Sequence, residues 1–220
     1  RRLAIIVAVF ASLWAIPVIA VVQILGAQPF ADVARLFTTA AFVTFGGAYA
    51  VLPYIAEAGV NTYSWLTPGE MINGLALAET TPGPLILVTT YVGYFGGWNG
   101  GAAGLSPAAA GLMAALLTTY VTFLPSFMFI IAGAPYIERL QALAWAKSAL
   151  EAITAAVVGV ILNLTVFLAK AVLIPGGGAV DWTAVAAGAV AFALLASGRI
   201  SVPWLVVIGA AFGLARVMVF

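Results

Sequence analysis

Glu70 and Glu79 stand nine residues apart, and Glu79 directly precedes Thr80-Thr81-Pro82-Gly83-Pro84. A carboxylate inside an apolar membrane helix costs about 2.5 kcal/mol or more, so each such residue needs a reason. At about 100° per residue, that spacing puts the two on opposite faces of a straight helix, and their reasons differ. Thr67-Pro68-Gly69-Glu70 fits a capping box, with Thr67 as N-cap, Pro68 at the first helical position and Glu70 at the third, which gives Glu70 a structural role. Glu79 has no such role and is the candidate protonatable or water-lined group; its plainer reading is a surface carboxylate near one membrane face.

The segment after Glu79 interrupts a helix, because neither Pro82 nor Pro84 can donate a backbone hydrogen bond. A helix that starts again inside a membrane exposes its first N–H groups and the positive end of its dipole, roughly +0.5 charge. Anions bind such ends without Arg or Lys. Phe45-Gly46-Gly47 marks a second interruption. Candidate substrate-binding residues are therefore Gly46, Gly47, Glu79, Thr80, Thr81, Pro82 and Gly83. The competing reading is that glycine and proline only kink these helices.

Composition sets the frame. The 220 residues are 65% hydrophobic and 7% charged, against about 25% charged in a soluble domain. Too few charges are present to cover a water-exposed surface, and apolar runs of about 20 residues are long enough to cross a bilayer as helices. The chain has no Cys and no His, which removes disulfides, thiolate and imidazole chemistry and the commonest metal ligands, so no cofactor and no metal are expected. A Ser–His or Cys–His protease cannot be assembled, and Asp32 and Asp181 both fall in loops, which argues against an aspartyl pair; the chain does not read as an enzyme. The net charge of +1 offers nucleic acid no basic field.

The positioning elements follow from the apolar runs. Leu3 to Leu25 reads as a first membrane helix, Leu36 to about Ala56 as a second with its interruption at Phe45-Gly46-Gly47, Met71 to Glu79 and Leu85 to Trp98 as the two parts of a broken helix, then Pro107 to Ala134, Ser148 to Ile174, Trp182 to Ala196 and Ile200 to Phe220. The expected fold is all-α, a polytopic membrane protein of six to seven helices with at least one broken helix. Thr118, Thr119, Thr122 and Ser126 surround Pro125 and are expected to satisfy the carbonyls that its kink frees. If the broken segment crosses, Arg1, Arg2, Arg139, Lys147 and Arg199 face the cytoplasm, against Arg35, Lys170 and Arg216 outside, a bias of five to three. If the broken segment is instead a re-entrant hairpin, the count becomes four to four, so crossing is favoured. The start at Arg1-Arg2 without Met reads as a piece of a longer chain, a single transmembrane domain over residues 1–220.

Phe45-Gly46-Gly47-Ala48-Tyr49-Ala50-Val51-Leu52-Pro53, Trp65-Leu66-Thr67-Pro68-Gly69-Glu70-Met71 and Gly74-Leu75-Ala76-Leu77-Ala78-Glu79-Thr80-Thr81-Pro82-Gly83-Pro84 together resemble the signature of the chromate ion transporter family. Gly133 to Leu140 and Ile153 to Leu164 are similar to it as well, so the resemblance covers roughly residues 30 to 170. It implies transport of chromate, with sulfate as the nearest alternative substrate, through a multi-pass protein of a bacterial-type inner, or plasma, membrane. It also implies that the chain resembles the second half of a long two-repeat member, one half of an inverted-repeat transporter. Its expected partners are then the oxyanion, the lipid bilayer and a second homologous half or a homodimer partner; a scaffold half that does not transport alone is the alternative.

Overall fold

The computed structural model describes residues 2–26, 28–43, 48–81, 84–102, 104–137, 143–175 and 178–219, without the side chains of Ala48, Glu79, Thr80, Arg216, Val217 and Val219. Among these residues there are nine α-helices and no strand: α1 (Arg2–Leu25), α2 (Phe30–Val43), α3 (Ala48–Glu57), α4 (Pro68–Thr80), α5 (Val88–Gly100), α6 (Pro107–Gly133), α7 (Ala144–Leu173), α8 (Trp182–Ala196) and α9 (Val202–Val219). A π-helical turn, Ala58–Thr62, extends α3, and a 3-10 turn, Leu85–Leu87, leads into α5. The chain is an all-helical polytopic membrane protein. Helices α1, α6 and α7 are each long and apolar enough to cross.

Helix α6 is the central post. Ser106 caps its start by accepting from the Ala109 N–H at 3.3 Å, and Ala110, Gly111, Ala114, Leu117, Thr118, Val121, Thr122 and Pro125 are all buried. Helix α1 runs antiparallel to it: Arg2, Leu3 and Ile6 share a cavity with Ala132, Pro135 and Tyr136, and Tyr120 Oη donates to the Leu13 carbonyl at 2.6 Å. The end of α1 and the start of α6 therefore define one membrane face, here the near face, and the start of α1 and the end of α6 define the far face. Trp14 sits halfway along α1, not at an interface, and its Nε1 donates to Thr38 Oγ1 at 2.8 Å.

Between those two posts the chain makes two hairpins instead of two crossings. The first predicted helix of this region starts six residues early, at Phe30, and is described to Val43; α3, from Ala48, runs back toward the near face. Tyr63, just past α3, lies close enough to Asp32 and Arg35, at the start of α2, to feel both charges. Burial, and then the Asp32 charge, push the Tyr63 phenol above its ordinary pKa. Tyr63 stacks on Trp65 at 4.5 Å between ring centroids, and Trp65 on Phe37 at 6.5 Å. That aromatic stack closes the open end of the first hairpin.

The second hairpin is α4 and α5. The expected capping box is present: Thr67 Oγ1 accepts from the Glu70 N–H at 3.2 Å, and Glu70 Oε2 accepts from the Thr67 N–H at 2.7 Å. The returning helix lies alongside α4, with Gly74 directly under the Tyr91 ring. At the open end Asn99 Nδ2 donates to the Trp65 carbonyl at 2.6 Å, and the Trp65 indole lies on Gly96. The broken segment therefore re-enters and does not cross, contrary to the reading from charge counts. Length is the physical reason: each arm has 13 residues, about 20 Å of helix against a hydrocarbon core of about 30 Å. Because the preceding segment also re-enters, the two reversals cancel in the count of crossings.

Helix α7 packs against α3 and α4 through Leu164, Phe167 and Leu168, and Asp181 N–H donates to the Leu173 carbonyl at 2.8 Å to begin α8. Asp181 caps α8 by accepting from Thr183 and Ala184 N–H at 3.0 and 3.1 Å, a structural role for a residue that the sequence placed in a loop. Large apolar side chains on α1, α7, α8 and α9 point outward, where hydrocarbon is their solvent.

Candidate functional site at the tip of the second hairpin

The tip of the α4–α5 hairpin lies at mid-height of α6. Thr90 Oγ1 and Thr119 Oγ1 are 2.8 Å apart, and Thr119 is close to the midpoint of the 27-residue α6. The first turn of α5 therefore lies about 15–25 Å from either end of α6.

The two helix ends at this tip differ. Helix α4 is closed: both the N–H and the hydroxyl of Thr81 donate to the Leu77 carbonyl, at 3.0 and 2.7 Å. The other end is open. Pro84 stands before the 3-10 turn in extended backbone, with φ −71 and ψ 131, and neither Pro84 nor Leu87 offers a side-chain cap. The starts of α4, α6 and α8 each carry a side-chain cap, whereas that of α7, at Leu143, does not. Opposite dipoles meet at the tip, since α4 ends where α5 begins; Thr81 quiets the negative end, while at the positive end the 3-10 turn takes up the Leu87 N–H, on the Pro84 carbonyl at 3.0 Å, and the Val88 N–H, on the Leu85 and Ile86 carbonyls.

Helix threonines of this chain divide into two kinds. Thr89, 1% exposed, donates to the Ile86 carbonyl at 2.7 Å. Thr119, Thr154 and Thr165 each donate to the carbonyl four residues back, at 2.8–3.0 Å, the usual way a threonine is satisfied in an apolar helix. Thr118 and Thr122, 0% and 6% exposed, do not. Neither oxygen finds a partner among the described residues. This corrects the expectation that both would serve the kink at Pro125. A buried hydroxyl left unpaired costs about 1–3 kcal/mol.

Of the residues singled out from sequence, Glu79 and Thr80 form the last turn of α4 and Thr81 follows it. Gly46, Gly47, Pro82 and Gly83 lie outside the described residues. The 3-10 turn Leu85–Leu87 packs against α3, so the helix that follows the first interruption and the helix start after the second are neighbours. Sequence reasoning gave no weight to Thr89 and Thr90, whose place just after the break was the available signal. The recesses between α1, α2 and α6, lined by Trp14, Val18, Val22 and Thr38 or by Phe10, Phe42 and Leu124, include none of the residues singled out from sequence.

A family model described as chromate transporter matches residues 31–214. The chain belongs to the chromate transporter family. The match runs past residue 170, where the motif resemblance stopped, through α7 and α8 and into α9, so the family's conserved length includes the helices that follow the hairpins. The chain is 33% identical over 173 residues to a chromate transport protein of Pseudomonas aeruginosa, covering 76% of this chain and 37% of that one. It is 29% identical over 134 residues to a chromate transport protein of Cupriavidus metallidurans, covering 61% of this chain and 30% of that one. A probable chromate transport protein of Synechococcus elongatus is 24% identical over 161 residues, covering 73% and 38%. The chain thus spans about a third of the length of these relatives. No solved structure matches it.

Proposed function

We propose that this chain carries chromate, a tetrahedral dianion, across a bacterial-type inner membrane, with the anion held at the tips of the two hairpins by helix-start N–H groups and hydroxyls and not by a fixed cation. The observation that carries this reading is the uncapped start of α5 at mid-height of α6. Gly46, Gly47, Pro82 and Gly83 would give the anion close approach to backbone, Thr80 and Thr81 would add hydroxyls, and Glu79 is the candidate proton carrier. Thr81 would have to release the Leu77 carbonyl to donate to a substrate. The relatives' names support chromate as the substrate; sulfate, with the same charge and shape, is the expected competitor.

With both hairpins hanging from the near face, the number of full crossings keeps the parity assumed in the sequence reading, so its five-to-three division of Lys and Arg supports a cytoplasmic far face. A dianion leaving a negative-inside cell gains about 4.6 kcal/mol per 100 mV, so export needs no further driving force. The hairpins enter from one face only. A second homologous half of opposite orientation, or a second copy of this chain, would bring matching tips from the other face.

Radiolabelled chromate uptake into inside-out vesicles tests this. Accumulation driven by an imposed positive-inside potential and reduced by sulfate is the expected result. No uptake, either by the chain alone or together with a homologous half, would rule the reading out.

A further inference from the structure

Helices α1 and α2 are tied at mid-height, where Trp14 donates to Thr38, and follow one another at the near face, where α1 ends at Leu25 and α2 begins at Phe30. Between these two places an open recess of about 470 Å³ runs along the pair. Ala31 and Ala34 on α2 give it room, and Val18 and Val22 on α1 wall it. From Trp14 to Gln23 it covers about 14 Å of α1. That is the depth of one leaflet, half of a hydrocarbon core of about 30 Å. Past Trp14 and Thr38, which line both, a second recess of about 540 Å³ continues between α1 and α6, walled by Phe10, Phe42, Leu124 and Met128. The two ends differ in chemistry. The near-face end carries Gln23 and Arg35, both exposed; the deeper recess carries no polar side chain among the described residues except Trp14 and Thr38, which are bonded to each other.

Arg35 stands in the second turn of α2, about 8 Å along the helix from Phe30. A cation at that depth is costly unless something anionic meets it. Arg35 makes no ion pair among the described residues, and Asp32, three residues earlier on α2, lines neither recess. We infer that the groove holds one anionic phospholipid of the near leaflet. Its phosphate sits on the Arg35 guanidinium and the Gln23 carboxamide, and one acyl chain lies along Val18 and Val22 and ends against Trp14. The guanidinium offers a phosphate two parallel N–H donors, and the methylenes of Arg35 can follow the groove wall while its head stays at the headgroup level. An inorganic anion would satisfy Arg35 and leave the apolar length of the groove empty; a plain hydrocarbon would fill that length and leave Arg35 unpaired. An amphiphile with an anionic head does both. The site stands apart from the oxyanion reading, since no residue of the hairpin tips lines either recess.

The test is thermal stabilisation of the delipidated, detergent-solubilised chain by phosphatidylglycerol, phosphatidylcholine and soluble glycerol phosphate, with bound lipid counted by native mass spectrometry. Wild type should retain one phosphatidylglycerol and need about fivefold less of it than of phosphatidylcholine for half-maximal effect, as one cation near the headgroups provides. Glycerol phosphate should do nothing, for want of a chain. Arg35→Gln should bring the two lipids within about twofold of each other, and Arg35→Lys should keep the preference. Ile19→Trp, at an exposed rim position of the same recess, should weaken both lipids alike by filling the place of the chain. Arg35→Gln that keeps the wild-type preference, Ile19→Trp that leaves both lipids as they were, or a wild type that treats the two lipids equally would overturn the inference. Stabilisation by glycerol phosphate as strong as by the lipid would also overturn it, in favour of a free phosphate site. None of these outcomes bears on oxyanion transport, which the vesicle assay reads separately.

Discussion

Asn99 donates from Nδ2 to the backbone carbonyl of Trp65 at 2.6 Å, tying the end of α5 to the residue two places before the N-cap of α4. This bond closes a loop of 34 residues and makes the broken segment a re-entrant hairpin. Because α6 begins shortly after α5 ends, the helix start at the hairpin tip is carried to mid-membrane depth.

Replacing Asn99 by Ala should remove that clasp and leave the part-buried Trp65 carbonyl without its donor. The expected loss is about 1–3 kcal/mol, read as a lower melting temperature in detergent and faster proteolysis in the loop between Tyr63 and Thr67. An Asn99→Ala protein as stable as wild type would mean that the aromatic stack holds the hairpin end by itself.

Thr67→Ala should cost about 1 kcal/mol by removing the cap of α4. Since this cap lies at the near face and not at the tip, the half-saturating oxyanion concentration should change by less than about twofold, within the reach of a 0.4 kcal/mol effect. A large change in affinity from this variant would show that the start of α4, not its end, governs the site.

Much of this architecture was legible beforehand, and the parts that were not share a cause. The capping box from Thr67 to Glu70, the interruption after Glu79 and the bounds Trp182–Ala196 are local, written in residues that touch their sequence neighbours. The folding-back is not local: it depends on Asn99 meeting Trp65 and on Gly74 admitting Tyr91, pairings across the hairpin that no run of hydropathy reveals. Charge counting could not expose it, since two re-entrant segments leave the parity of crossings unchanged. For Thr118 and Thr122 the local rule was misleading. Helix threonines ordinarily donate four residues back, as Thr119 does, and only the packed structure shows two that do not.

Gly97→Ala should separate α5 from α6, because the added methyl would run into the Ala110 carbonyl and the Ala114 side chain. Overpacking of this kind costs about 1–3 kcal/mol. As the collision is with backbone, no rotamer change relieves it, and the expected outcome is a lower melting temperature together with weakened transport. Gly188→Ala, at a position where an added Cβ meets nothing within 4 Å, is the control and should be silent in both.

Glu79→Gln separates proton coupling from anion binding. If Glu79 carries the proton, the variant should keep oxyanion binding but lose the pH dependence of transport; a pH profile identical to wild type removes Glu79 from that role. Thr81→Val should weaken transport if the hydroxyl turns from the Leu77 carbonyl to the substrate, and unchanged transport by a well-inserted variant would remove it from the site.

The absence of cysteine makes the most direct measurement a simple one. Single cysteines at Gly69, in the first turn of α4, Ala108, in the first turn of α6, and Ala144, at the start of α7, are labelled with a membrane-impermeant maleimide in sealed vesicles of known orientation. Because the α4–α5 hairpin returns to the face it left, Gly69→Cys and Ala108→Cys should label from the same side and Ala144→Cys from the other. Labelling of Gly69→Cys and Ala108→Cys from opposite sides would mean that the segment crosses, and the mid-membrane helix start on which the site depends would be lost.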